Sequence, residues 1–115
     1  MDNSSAILMI KALDCLSTRA AVTAENIANA GSPNYRPMRV SFEDALKAAA
    51  REGDVGVQHL SPSIEHLAAS DTGNGALRPD LEMATAVGTA GRYGALLELL
   101  NRQLQLQALA ITGNN

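Results

Sequence analysis

Aromatic residues are almost missing: the 115 residues include two Tyr, one Phe and no Trp. Without them a thick globular core is hard to build, and the Leu and Ala that dominate instead suit helix-on-helix packing. One cysteine, Cys15, excludes an intramolecular disulfide framework and offers a metal no second soft ligand. It lies within a helical pattern, where a small buried hydrophobe is expected. His59 and His66 stand apart from any carboxylate cluster, so no metal site is expected. The net charge of −3 comes with no basic stripe, which argues against a nucleic-acid partner. No apolar run approaches the length of a membrane span. The amino terminus does not read as a cleavable secretory signal: Asp2 stands where a basic region belongs, and Lys11 interrupts the run from Ala6 to Ile10. On these absences alone a cytoplasmic chain is expected. Nothing reads as an enzyme either: there is no nucleophile with a base and an orienter, no phosphate-binding loop, and no carboxylate pair in an apolar setting. Adjacent Glu43 and Asp44 read as solvated, and no cofactor or small-molecule substrate is expected.

What the chain has is helical periodicity at its two ends. A first helix is expected over Ser4 to Ala30, with Asn3, Ser4 and Ser5 as candidate N-caps. Steps of three and four residues select Ala6, Met9, Leu13, Leu16, Ala20, Thr23, Ile27 and Ala30, a heptad seam thickened by Ile10, Ala12 and Ala24. A second helix is expected from Asp80, as N-cap after Pro79, to Ile111, with Gly113 beyond its end. Its seam reads Met83, Ala86, Ala90, Tyr93, Leu97, Leu100, Leu104, Gln107 and Ile111, beside a second stripe of Leu96, Leu99, Leu106 and Ala110. Two adjacent apolar stripes call for more than one packing partner. Glu98 and Arg102 form an i,i+4 pair in the favourable order. Gly88, Gly91 and Gly94 each cost about 1 kcal/mol relative to Ala. They either admit a second backbone or keep the isolated helix frayed until assembly, and the second reading is preferred slightly.

The expected fold is therefore all-α: two long terminal helices, over 1–30 and 80–115, packed as an antiparallel coiled-coil-like pair. Between them, 31–79 holds a turn, a short helix over Ser41 to Arg51 and an irregular, flexible central segment. Ser41 and Asp44 make a capping-box-like start, and Gly73-Asn-Gly75 reads as a turn. A long structureless segment is either functional or disordered.

The most specific word closes the first helix: Asn26-Ile-Ala-Asn-Ala-Gly-Ser-Pro-Asn-Tyr-Arg36. Gly31 suits a left-handed cap, Pro33 cannot continue a helix, and Tyr35 offers an apolar ring with a polar tip. This word resembles the Asn-Ile-Ala-Asn-Ala-x-Thr-Pro-Gly-Tyr signature of the flagellar axial proteins (rod, hook and hook-associated proteins). Ser32 replaces its Thr and Asn34 its Gly, both chemically mild changes. Val40-Ser-Phe42 through Leu46 resembles the segment that follows the signature in basal-body rod proteins. Pro79 through Met83, Arg92-Tyr93, Leu100-Asn101 and Ala110 to Gly113 are similar to their closing helix, although Thr89 stands where asparagine is more usual. The middle is only loosely similar.

The resemblance implies a structural subunit of the flagellar proximal rod, polymerising through its terminal helices to transmit torque. Asn26, Ile27, Asn29, Gly31, Pro33 and Tyr35 would form the assembly turn. Met9, Leu13, Leu16, Ile27, Tyr93, Leu97, Leu100, Leu104 and Ile111 would form the packing seam. Implied neighbours are further copies, the rod protein FlgC, the rod-adaptor protein FliE and the basal-body membrane ring. It also implies export without a cleaved signal to the rod in the periplasmic space, against the cytoplasmic expectation above. The competing readings are a small helical adaptor or chaperone of an export system, and FlgC itself.

Overall fold

The computed structural model describes residues 3–67 and 78–113. Two long helices dominate it: α1 spans Asn3–Ala28 and α4 spans Pro79–Gly113. Between them lie β1 (Met38–Ser41), α2 (Glu43–Glu52), α3 (Asp54–Gln58) and β2 (Ser63–His66). The long helices run antiparallel: Asn26 near the end of α1 meets Glu82 near the start of α4, while Leu96 packs against the cluster containing Cys15 and Leu16. The molecule measures 65 × 26 × 14 Å, a rod-like outline set by α4. At 1.5 Å per residue that helix alone is about 50 Å long.

The core sits where α1 meets the hairpin. Cys15, Leu16, Val22, Val40 and Phe42 form it, with Met38, Leu46, Leu60 and Leu96 packed around them. Burial pushes the Cys15 thiol above its ordinary pKa, which suits an inert packing role. Arg19 joins the core to its rim: its guanidinium lies 4.5 Å from the Phe42 ring centroid, donates to the Val40 carbonyl and grips both oxygens of Glu43 at 2.6 and 2.7 Å.

Several local expectations need correction. The segment from Gly53 onward, read as irregular, contains α3 and β2, and β2 pairs antiparallel with β1 from Met38↔His66 to Ser41↔Ser63. A four-residue strand whose side chains are all exposed leaves no alternating pattern for a sequence reading to find. Ser41 belongs to β1, so α2 starts at Glu43 behind Phe42, without a side-chain cap. Ser4 and Ser5 lie inside α1. Asp80 is not the N-cap of α4: Pro79 opens the helix, and Asp80 sits in its first turn paired with Arg78 at 2.8 Å. The Gly73-Asn-Gly75 turn lies outside the described residues.

Arg19 holds the Glu43 carboxyl well below the usual carboxylate range, at about 2, while partial burial opposes the shift. A depressed folded pKa gives stability that is complete above the unfolded value, about 4.5, and is lost as pH falls through about 2. Urea titrations of the parent and Glu43→Gln between these limits should show a loss of stability on acidification that the variant shares only in part. Equal slopes would remove Glu43 as the cause.

Candidate functional site

The turn after α1 is organised by one side chain. Asn26 is 1% exposed, and its carboxamide uses all four of its hydrogen-bonding positions. Its Oδ1 accepts from the Tyr35 hydroxyl at 2.7 Å and from the Met38 N–H at 3.0 Å. Its Nδ2 donates to the Met38 carbonyl at 2.8 Å and to Glu82 Oε2 at 3.2 Å. The amide thus mimics a neighbouring strand at the outer edge of β1 and ties the turn, the hairpin and α4 to the end of α1. Burial, with Glu25 and Glu82 nearby, pushes the Tyr35 phenol up, so its hydroxyl stays a donor.

The rest of the turn is held more locally. Asn29 donates its side-chain amide to the Glu25 carbonyl and accepts from the Ser32 hydroxyl, and the Ser32 N–H bonds to the Asn29 carbonyl. Gly31 and Pro33 are exposed. Gly31 does not take the expected left-handed cap. Among the described residues positive φ occurs at Gly53, 96°, and Asn34, 64°. The strained position is therefore three residues later, because consecutive turns from Asn29 to Tyr35 replace a single glycine cap. Asn34→Gly should be neutral or stabilising by a few tenths of a kcal/mol, whereas Asn34→Val should cost about 1–2 kcal/mol. Thermal melts of both variants check the sign, and a stable valine variant would contradict the assigned conformation.

On α1, Leu13 and Leu16 are buried and Met9 and Ile27 half-buried, while Ala20 of the expected seam is exposed, as is Ala30, which lies beyond the end of the helix at Ala28. On α4 the inward stripe is rotated by one position from the expected one. Thr89, Leu100 and Gln103 are buried and Glu82, Ala86, Leu96 and Gln107 half-buried. Of the expected seam residues, Leu100 alone is fully buried. Tyr93, Leu97, Leu104 and Ile111 are exposed, from 38% at Tyr93 to 73% at Ile111. Thr23 and Asn26 of α1 line one groove with Glu82 and Thr89 of α4. The first half of α4 thus turns polar residues toward α1, while further along Leu96 packs against the cluster of Cys15 and Leu16.

Two open apolar stripes result, one on each flank of the inward face. Leu97, Leu104 and Ile111 recur every seven residues on one flank, and Leu99 and Leu106 on the other; all are exposed. Added side-chain carbon at Gly88, Gly91 or Gly94 would meet nothing within 4 Å, so no close backbone approach within the chain uses these glycines. Ion pairs among the described residues join Glu43 to Arg19 and Arg92 and Asp80 to Arg78; the expected Glu98–Arg102 pair is not formed. No group of three or more metal-ligating side chains occurs among the described residues, and none of their helices is long and apolar enough to cross a membrane.

The chain is similar to the flagellar basal body rod protein FlgB of Borreliella burgdorferi, at 39% identity over 56 residues. That match takes in 48% of this chain and 42% of the relative, so it spans less than half the length of either protein. No family model matches the sequence.

Proposed function

We propose that this chain is a non-enzymatic structural subunit of the proximal rod of the bacterial flagellar basal body, resembling FlgB. It polymerises through α1 and α4 and transmits torque as part of a tube. The outward leucines of α4 carry the reading. Leaving a stripe of leucines in water forgoes about 1.5–3 kcal/mol for each side chain that could be fully buried, which is costly unless neighbouring subunits cover them. Two stripes on opposite flanks fit two neighbours, and a head-to-tail contact of that type propagates instead of closing. Similarity to a rod protein and the Asn26–Tyr35 turn support the same conclusion. An export adaptor or chaperone would share the acidic helical character but has no need of that turn.

FlgC is the nearest alternative within the rod; Val40-Ser-Phe42 and the closing segment from Asn101 to Gly113 favour FlgB. The neighbours in this reading are further copies, FlgC, FliE and the membrane ring beneath the rod, reached by export without signal cleavage. Deleting the gene in its own organism should abolish swimming and leave basal bodies without a rod, with both restored by the intact chain. A deletion strain that builds rods and swims would overturn the assignment.

A further inference from the structure

We propose that the groove between α1, β1 and the first half of α4 is a docking slot for the leucine ridge around Glu98 of a second copy's α4. This rests on the reading of the chain as a polymerising subunit and names the surfaces that meet.

The groove has a volume of about 580 Å³, with Thr23, Thr89 and Gly88 among its lining residues and Arg39 and Arg92 as its exposed cations. Its two threonines are unusual within this chain. Thr18, Thr85 and Thr112 each turn their hydroxyl back to the carbonyl four residues earlier. Thr23 and Thr89, at 3% and 4% exposed, line the groove without such a back-bond. Hydroxyls that line a groove without such a bond can donate to or accept from an incoming polar group.

The charges indicate its sign. Arg39 has no ion-pair partner among the described residues. Arg92 reaches only Glu43, at 3.5 Å, and both oxygens of that carboxylate are already held by Arg19. Glu82 also lines the groove, but it accepts from Asn26. Guanidiniums and hydroxyls left in surplus suit a carboxylate.

Glu98 supplies that carboxylate. It is exposed, has no ion-pair partner among the described residues, and lies on the outer face of α4 next to exposed Leu99, whose flank enters the slot while that of Leu97 is left to another neighbour. An atom added at Gly88 meets nothing within 4 Å, which leaves room for an incoming leucine. Groove and ridge occupy different halves of α4. A subunit that has inserted its ridge therefore still offers its groove, and the contact repeats along an assembly.

The test uses the purified full chain, with association followed by sedimentation and fold by circular dichroism. Glu98→Arg and Arg39→Glu should each weaken self-association about tenfold, as expected for loss of a close charge pair, and the double variant should recover most of it. Gly88→Leu should fill the slot and abolish association while raising helicity, because leucine favours helix more than glycine does. Gly88→Cys mixed with Leu99→Cys should cross-link between copies, with neither variant linking to itself; native Cys15 is 0% exposed and does not compete. Absence of recovery in the double variant, or association of Gly88→Leu equal to the parent's, overturns the slot. If the parent associates and every variant matches it, the slot fails and the rod-subunit reading stands. A parent that neither associates nor cross-links overturns both.

Discussion

Leu100→Asp is expected to unfold the isolated protein, whereas Leu104→Asp should leave the fold intact and abolish assembly. A seven-residue repeat places these positions on one seam, and on sequence grounds both would act as assembly contacts. The structure separates them. Leu100 is 8% exposed and packs inside the chain, while Leu104 is 47% exposed on the outer flank of α4. An aspartate at position 100 loses a packed side chain and buries an unpaired carboxylate, a combined cost of about 4–6 kcal/mol, comparable to the whole stability of a small protein. At position 104 the carboxylate remains in water in the monomer, so its effect on folding should stay within about 0.5 kcal/mol. It becomes buried and unpaired only when a neighbouring subunit covers it. Denaturant titration of the monomer, set beside swimming and basal-body yield, separates the two outcomes. Normal rods in a Leu104→Asp strain would show that this flank is not an assembly surface.

The split between these leucines also shows where sequence reading stops. The two long helices were legible because each carries an apolar repeat sustained over many turns, punctuated by Pro33 and Pro79, although Gly113, expected beyond the second helix, is the last residue of α4. Which stripe of α4 faces α1 was not legible. The repeat marks every apolar stripe alike, and the choice between them depends on what α1 presents opposite: Thr23 and Asn26 beside the first half of α4, and the cluster of Cys15 and Leu16 beside Leu96. The β1–β2 hairpin was missed for a related reason. Its strands have four residues each, and β2 is exposed throughout, so its pairing is fixed by tertiary contacts at Met38 and Val40 more than by local propensity. The turn word was read correctly as the place where the chain turns away from α1. The residue types alone put its special backbone conformation at Gly31, however, whereas the succession of turns puts it at Asn34. In the sequence Asn26 is one letter of a motif, and only the fold brings its amide to the meeting point of the turn, the hairpin and α4.

That meeting point should be the most sensitive polar position in the molecule. Asn26→Leu is close in volume and removes no apolar contact, yet it leaves the Met38 N–H and carbonyl, the Tyr35 hydroxyl and the Glu82 carboxylate without the partner each now has. Each buried polar group stranded in this way costs about 1–3 kcal/mol. Water and local adjustment will reach some of them, so a total loss of about 3–5 kcal/mol is expected. Tyr35→Phe removes a single bond while Asn26 Oδ1 keeps the Met38 N–H, so about 1 kcal/mol should be lost. Glu82→Gln retains an acceptor for the Asn26 amide and should be nearly neutral. Denaturant titration ranks the three variants, and amide exchange at Met38 reports whether the clasp itself has opened. In Asn26→Leu that amide should exchange far faster than in the parent, while in Glu82→Gln it should stay protected. If Asn26→Leu proves no less stable than Tyr35→Phe, the amide is only one contact among many, and the end of α1 is held by the packing of Val22, Val40 and Phe42 instead.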